Sequence, residues 1–354
     1  MVKKKRKSST PKVNSRSNTW LNWKWVLLGI CLLITLLAWL VLGASSKNDK
    51  IYTFKVHRNW TLDSLDNHVQ TDLGISTLGG FSTWAKLMGY SKVKPCILLI
   101  DPQTSAFSLI RQLRKNRKQT IDLVIKSGIY DKSFADLVAS KLDITEADML
   151  ALLHDNVLLN QWGVNEQTWP TIIIPNTYNV SVGLDAEGLM KRLSQESELF
   201  WNEKRMAQLN KHGSSKNSVI TVASIVCKES SRVTEYKRIA GVYMNRLHKG
   251  MKLQADPTVN FARGVDARVR DTKIESPYNT YLVYGLPPGP ICIPSIEAID
   301  AVLDYEVHDY LYFCAKSDFS GTHLFESDYN KHKINARKFN QALNKEEKIR
   351  DSRK

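Results

Sequence analysis

The sequence predicts an α+β protein in three parts: a single N-terminal transmembrane helix, a small α/β module and a larger mixed α/β domain. Two observations predict this arrangement. Residues 25–44 form one charge-free apolar run, and short β-rich runs alternate with segments of helical period along the rest of the chain. We expect a basic tail at 1–24, the module at 45–126, the larger domain at 127–343 and a charged tail at 344–354.

The apolar run has the length of a membrane span. At about 1.5 Å per residue, its 20 residues reach roughly 30 Å, the thickness of a bilayer core. Trp25 and Trp39 stand near its two ends, as in an aromatic belt. A cleaved signal peptide is the alternative, but its apolar region is shorter, at roughly 7–15 residues.

The positive charge is concentrated before this run. The net charge is +15, and the first 24 residues hold eight Lys or Arg and no acid. This is the positive-inside pattern, so a membrane explains the charge better than a nucleic acid does. We expect a single-pass protein of the cytoplasmic (inner) membrane, with its N terminus in the cytoplasm and everything after residue 45 outside it.

That placement puts Cys96, Cys227, Cys292 and Cys314 in an oxidising compartment. They allow three disulfide pairings, and they are equally compatible with small buried hydrophobic residues. The histidines lack the short spacing of a zinc site, and the chain has no Gly-rich phosphate loop. We therefore expect no metal and no cofactor.

Periodicity and turn residues define the elements of the two folded parts. In the module, strands are predicted at 51–56, 96–100 and 120–125, and helices at 61–74, 82–90 and 105–114. In the larger domain, helices are predicted at 133–142, 145–153, 185–209, 234–248 and 329–343, a strand at 171–174 that runs into a turn at 175–178, and a buried strand at 310–313.

The most informative stretch is the apolar helix that ends at Glu229. Val219, Val222, Val226 and Glu229 recur at steps of three and four, which places the glutamate on an otherwise apolar face. Desolvation and the negative end of the helix dipole would both raise its pKa, as a general acid requires. The alternative is a structural glutamate that pairs with a Lys or Arg, or that lies exposed at a frayed helix end.

After Gly250 the chain is rich in polar and aromatic residues. Residues 254–258 are turn-forming, residues 276–281 set tyrosines beside an amide and hydroxyl groups, and residues 285–290 form a Pro-rich loop. This composition suits a carbohydrate groove, although such aromatic rings also occur in cores. A thiol enzyme based on Cys227 is disfavoured, because a residue two positions from Glu229 points elsewhere on the helix.

Several motifs together resemble one family. They are Ala-Ser-Ile-Val-Cys-Lys-Glu at 223–229, Val-Tyr-Met-Asn-Arg-Leu at 242–247, Gly-Met-Lys-Leu-Gln-Ala-Asp-Pro-Thr at 250–258, Tyr-Asn-Thr-Tyr at 278–281, Gly-Leu-Pro-Pro-Gly-Pro-Ile at 285–291, Ile-Pro-Asn-Thr-Tyr at 174–178 and His-Leu-Phe at 323–325. With the plan of one span, a LysM-like module and a catalytic domain, they resemble the endolytic murein transglycosylases (MltG or YceG-like family), with Bacteroidetes members as the nearest likeness.

The resemblance implies a membrane-anchored lytic transglycosylase. It would cleave the MurNAc–GlcNAc bond of peptidoglycan to leave 1,6-anhydroMurNAc ends and would end the growth of nascent glycan strands. Glu229 matches the catalytic glutamate, whereas Cys227 stands where many relatives carry an acid. The expected substrate-binding residues are Asn245, Gln254, Asp256, Thr258, Tyr278, Asn279, Tyr281 and His323. The expected partners are glycan strands, the membrane and proteins of wall synthesis or division.

Two alternatives stay open. A glycoside hydrolase needs a second carboxylate, for which Asp256 is the nearest candidate in the sequence. A non-catalytic peptidoglycan-binding scaffold of cell division would keep the fold without cleaving glycan.

Overall fold

The computed structural model describes residues 19–42, 45–116, 119–264 and 272–351. Parts of all five predicted segments lie outside the described residues: positions 1–18 of the basic tail, 43–44 of the span, 117–118 of the module, 265–271 of the larger domain and 352–354 of the charged tail. The chain divides into two compact units, residues 1–117 and 118–354.

The first unit begins with helix α1 (Thr19–Leu42). Over the part of the chain that the structure describes, no helix meets the length and apolarity needed to cross a membrane. The predicted transmembrane helix at 25–44 is therefore not found there.

A module with a β–α–α–β core and one further helix follows α1. Its elements are β1 (Tyr52–Val56), α2 (Leu62–Leu73), α3 (Phe81–Leu87), β2 (Cys96–Ile100) and α4 (Ala106–Lys115). The two strands pair antiparallel, with Tyr52 opposite Ile100. Thr61 caps α2 and Ser105 caps α4, each accepting a hydrogen bond from a backbone N–H of the first turn. The helices predicted here are confirmed to within a residue or two, except that α3 ends at Leu87.

Among the described residues, the second unit contains nine helices longer than one turn, one antiparallel pair of strands from distant segments and one hairpin. Its first half consists of β3 (Thr120–Ile125), α5 (Asp131–Lys141), α6 (Glu146–Leu153), the single turn α7 (Asn156–Leu159), β4 (Asn176–Ser181), α8 (Ala186–Phe200) and α9 (Glu203–Lys211). Its second half consists of α10 (Lys216–Glu229), α11 (Tyr236–His248), α12 (Asp256–Ala262), α13 (Ile296–Leu303), β5 (Tyr312–Ala315), β6 (His323–Glu326) and α14 (Tyr329–Asp351).

The segment around β4 differs from the prediction. The Ile-rich run predicted as a strand at 171–174 ends a 3-10 helix, Trp169–Ile172, because Pro170 fits a first helical turn and cannot donate in a sheet. The strand follows instead, at Asn176–Ser181, where a turn was predicted. It pairs antiparallel with β3, which the sequence had assigned to the first module.

Three other boundaries differ. The predicted helix 185–209 is two helices, because Asn202 caps α9 and ends α8. The predicted turn at 254–258 contains the start of α12, with Pro257 in its first turn. The last helix continues to Asp351, through most of the tail predicted to be frayed.

Helix α10 lies at the centre of the larger core. Residues 219–226 are all buried, so the helix is covered on every side and not on one face only. Apolar residues of α11 and α13, among them Ile239, Tyr243 and Ile299, pack in the same cluster. This packing fixes the direction and the end point of the helix that carries Glu229.

Candidate active site

Glu229 is the last residue of α10, as the sequence predicted. Ser215 caps the other end of the helix by accepting a hydrogen bond from the Ser218 N–H at 3.1 Å. At Ser230 the backbone turns to an extended conformation, and a short 3-10 helix, Val233–Glu235, leads into α11. The glutamate therefore lies at the junction of two core helices.

The carboxyl group of Glu229 has one direct partner among the described side chains. The Tyr243 hydroxyl, on α11, donates a hydrogen bond to Glu229 Oε1 at 2.5 Å. Tyr243 is 1% exposed, whereas Glu229 is partly exposed, so the carboxyl lies within protein atoms but keeps a path to solvent. Neither a lysine nor an arginine of the described chain forms an ion pair with it, so the structural-glutamate alternative lacks its partner.

Four influences set the acidity of Glu229. Desolvation by the surrounding protein is the largest and raises its pKa to about 7, with a further rise from the negative charge of Asp256. The Tyr243 hydrogen bond and the positive charge of Arg246 favour the ionised form and limit the rise in pKa. Near neutral pH the group can therefore both give and take a proton.

Arg246 is a buried cation close to this carboxyl group. Its Nε donates to the Leu311 carbonyl at 2.6 Å, and its Nη1 donates to the Leu253 carbonyl at 2.8 Å. Its guanidinium lies over the Tyr312 ring at 5.3 Å. These contacts fix Arg246 as a nearby charge that supports the ionised state of Glu229 without neutralising it.

Asp256, at the start of α12, is held by Tyr281. The tyrosine hydroxyl donates to Asp256 Oδ1 at 2.6 Å. The structure thus brings two of the predicted substrate-binding residues together, with Asp256 close enough to raise the pKa of Glu229.

Thr258 and Asn279 are fully buried, which corrects their predicted role. The Thr258 hydroxyl donates to the Ala255 carbonyl and lies 2.9 Å from the Thr280 hydroxyl. The Asn279 amide donates to the Thr272 and Ile274 carbonyls. Their polar groups are used inside the fold, so they shape the 272–281 loop and do not reach a ligand.

The other predicted substrate-binding residues have mixed surroundings. Asn245 donates to the His308 carbonyl at 2.6 Å and to the Tyr310 carbonyl at 3.0 Å, which joins α11 to the segment before β5. Gln254 is exposed, with a left-handed φ of 48°. Tyr278 packs against Phe261 with ring centroids 4.7 Å apart.

The Pro-rich loop is attached directly to α10. Ser224, on α10, accepts a hydrogen bond from the Ile291 N–H at 3.0 Å through its hydroxyl oxygen. A Cβ added at Gly289 would stand 2.1 Å from the Gln167 carbonyl oxygen, so only glycine allows this approach. These two contacts hold the loop against α10 and against Gln167.

Cys227 lies apart from the Glu229 carboxyl. A hydrogen bond with Cys292 lowers the pKa of Cys227 to about 6, and the Ser295 backbone and Tyr236 hydroxyl contribute in the same direction. These neighbours differ from those of Glu229, in agreement with the different directions expected for the two side chains. Among the described residues, all the cysteines are free thiols.

His323, the remaining predicted residue, begins strand β6 and is held by a carboxylate that the sequence analysis did not single out. Its Nδ1 lies 2.8 Å from Glu235 Oε2, and its backbone N–H donates to Glu235 Oε1 at 2.8 Å. Both side chains are nearly buried. The pair anchors the β5–β6 hairpin at the junction between α10 and α11.

Comparison with known proteins decides the family. The model of the YceG-like family matches residues 54–338, which is most of the chain. The chain belongs to the YceG-like family. A crystal structure of a YceG-like protein from Listeria monocytogenes has a similar fold, with a TM-score of 0.55 and 24% identity, and the match covers 81% of this chain and 99% of that one.

Two curated relatives carry the name endolytic murein transglycosylase. The Bacillus subtilis protein is 29% identical over 217 residues, or 55% of this chain and 59% of the relative. The Streptococcus pneumoniae R6 protein is 26% identical over 276 residues, or 66% of this chain and 49% of the relative. The chain thus spans about half the length of these curated relatives.

Proposed function

We propose that this YceG-like chain is a lytic transglycosylase that cleaves the MurNAc–GlcNAc bond of peptidoglycan. The observation that carries the proposal is a single carboxyl group, Glu229, whose pKa is raised to about 7 at a partly open helix junction. The names of the curated relatives support the same substrate. In this proposal the cut falls within glycan strands, as the word endolytic in those names describes.

One group suffices for both proton transfers of this reaction. Glu229 first protonates the bridging oxygen that leaves C1 of N-acetylmuramic acid. The resulting carboxylate then takes the proton of the C6 hydroxyl of the same sugar, whose oxygen closes on C1. The nucleophile is already attached to the substrate, so little entropy is lost and no water needs to be activated. The product is a 1,6-anhydro end.

The neighbours of Glu229 suit this alternation. The Tyr243 hydroxyl can remain on Oε1 in both protonation states, which leaves Oε2 for the transferred proton. The charge of Arg246 favours the ionised form of Glu229 and the charge of Asp256 favours its protonated form. The two effects oppose each other, so Glu229 can change between both forms near neutral pH.

The test is a digest of purified peptidoglycan by the full-length chain, with the new ends identified by mass spectrometry. Anhydro ends, one water lighter than reducing ends, are expected. Glu229→Gln should lose at least about 10²-fold in rate, the low end for general acid catalysis. The matched change at the exposed Glu187 on α8 should retain full activity. Hydrated ends would contradict the lytic mechanism.

A two-carboxylate hydrolase is the second candidate. The electrostatic effect of Asp256 on Glu229 favours it, because two carboxyl groups near one bond are the usual requirement of glycosidases. A non-catalytic scaffold is disfavoured, because a desolvated acid at a partly open site costs stability and serves no binding purpose.

Anchoring and regulation extend the proposal. The charge pattern of residues 1–44 supports an inner-membrane anchor with the catalytic unit outside the cytoplasm. We further propose that the 45–116 module is LysM-like, that the enzyme acts on nascent strands to end their elongation, and that it works beside wall-synthesis or division proteins. Carbonate washing of membranes, followed by protease treatment of intact spheroplasts, tests the anchor and its orientation.

A further inference from the structure

Glu235 is a buried carboxylate outside the group that surrounds Glu229. It ends the 3-10 helix Val233–Glu235 and is 8% exposed. Both of its oxygens are occupied. Oε1 accepts the backbone N–H of His323, and Oε2 faces His323 Nδ1 and accepts the Ser230 hydroxyl at 3.4 Å. This many hydrogen bonds on one carboxylate hold the imidazole in a single position.

The hydrogen bonds also fix the tautomer of His323. A carboxylate only accepts hydrogen bonds, so the proton of the Nδ1 contact belongs to the imidazole. In the neutral imidazole, Nε2 then carries the lone pair. Nε2 makes no hydrogen bond with any residue in the described ranges. It is also not one of the fully buried polar atoms that lack a partner in those ranges, so solvent can reach it. The His323 side chain is 13% exposed, which leaves this nitrogen accessible from outside.

His323 is linked to Glu229 through short chains of contacts. Ser230, which bonds to Glu235, directly follows Glu229 in the chain. The Phe313 ring packs edge-on against both Tyr243 and His323, with centroids 6.0 Å and 5.4 Å away. Tyr243 in turn bonds to Glu229. Two short paths therefore connect the histidine to the acid.

A second contact holds the hairpin in this place. Arg232 donates from Nη2 to the Ser320 carbonyl at 2.8 Å, in the loop between β5 and β6. The hairpin is thus joined to the α10–α11 junction at its loop and at the first residue of β6.

We propose that Glu235 is a positioning residue that presents His323 Nε2 as a hydrogen-bond acceptor for a sugar hydroxyl of the glycan bound beside Glu229. This inference rests on the proposed function for the identity of the ligand. It assigns His323 a defined acceptor atom and tautomer, and it gives Glu235 a role that acts through that histidine.

Glu235→Gln is the sharpest test, because it preserves shape while reversing one hydrogen bond. The His323 backbone N–H still needs an acceptor, so the amide oxygen faces it and the amide nitrogen faces Nδ1. The imidazole proton must then move to Nε2, which turns the acceptor into a donor, as happens when a triad aspartate becomes asparagine. Glu306→Gln, at an exposed partner of Arg238, is the matched control.

Two readouts apply to the full-length chain labelled with ¹⁵N-histidine. Long-range proton–nitrogen spectra, assigned with His323→Gln, should show the proton on Nδ1 in the wild type and on Nε2 in Glu235→Gln. The second readout is binding of a GlcNAc–MurNAc tetrasaccharide in a Glu229→Gln background. Glu235→Gln and His323→Gln should each weaken binding about tenfold. The variant with both substitutions should bind no more weakly than either single variant, because the two residues act through one contact.

An unchanged tautomer, or unchanged binding with both substitutions, would overturn the proposal. If Glu235→Gln fails to fold, tetrasaccharide binding by the His323→Gln variant alone tests the proposal, and unchanged binding overturns it. Binding that depends on His323 in a wild type that cleaves nothing would refute the proposed function and leave this inference standing. If both variants cleave glycan at the wild-type rate, the inference is refuted and the proposed function stands.

Discussion

The Tyr243 hydroxyl donates a hydrogen bond to Glu229 Oε1 across the junction between α10 and α11. The donor is completely buried, so the bond fixes one oxygen of the acid and leaves the other for the reaction. It also favours the ionised carboxyl group, against the desolvation that raises its pKa to about 7.

Tyr243→Phe removes this bond and keeps the ring. The ionised form of Glu229 then loses a stabilising partner, so its pKa should rise. Because the first step needs the protonated acid, the fall of kcat/KM at high pH should move to higher pH. The maximum rate should drop about tenfold through lost orientation. A pH profile with an unmoved basic limb would show that the hydroxyl does not act on Glu229; Tyr236→Phe, on the same helix, is the control.

Asp256→Asn separates the two glycosidase schemes. In the lytic scheme Asp256 raises the pKa of Glu229 and helps to position the glycan, so its loss should lower that pKa and leave partial activity. The basic limb should move to lower pH, opposite to the effect of Tyr243→Phe. Nearly complete loss of cleavage would favour the hydrolase with two carboxylates. Tyr281→Phe keeps the negative charge of Asp256 and removes only its hydrogen bond, so activity should fall partially without a shift of the basic limb to lower pH.

The raised pKa of Glu229 also predicts how stability depends on pH. The pKa of Glu229 is about 7 in the folded protein and has its ordinary, lower value in the unfolded chain. The folded state is therefore stabilised by this group when the group is protonated, and least when it is ionised. Its favourable contribution is complete below the unfolded pKa and is lost as the pH rises through about 7. Between pH 5 and 8 the wild type should lose up to about 2–3 kcal/mol relative to Glu229→Gln. Urea unfolding of both proteins at the two pH values measures this difference, and parallel curves would contradict it.

The sequence predicted the helix that ends at Glu229 well because its signals are local. The period of Val219, Val222, Val226 and Glu229 predicted the helix, and the structure ends it at Glu229. The Pro-rich loop at 285–290 was predicted from its composition in the same way. The resemblance also located His323, although not the carboxylate that holds it.

The partners of these residues could not be predicted, because long-range packing determines them. Tyr243 sits in the apolar stripe of α11, where a tyrosine looks like any core residue. Glu235 and His323 are 88 positions apart, and no periodicity connects them. The β3–β4 pairing likewise joins distant segments, which is why β3 was assigned to the wrong module. The burial of Thr258 and Asn279 depends on the same tertiary context.

The most direct test of the account is the titration of the Glu229 carboxyl itself. The full-length chain is labelled with ¹³C at the glutamate side-chain carboxyl, and the Glu229 signal is the one that disappears in Glu229→Gln. We predict a titration midpoint near 7, with the midpoint higher in Tyr243→Phe. A midpoint near the ordinary glutamate value of about 4.3 would contradict the claim that this helix junction keeps the acid protonated.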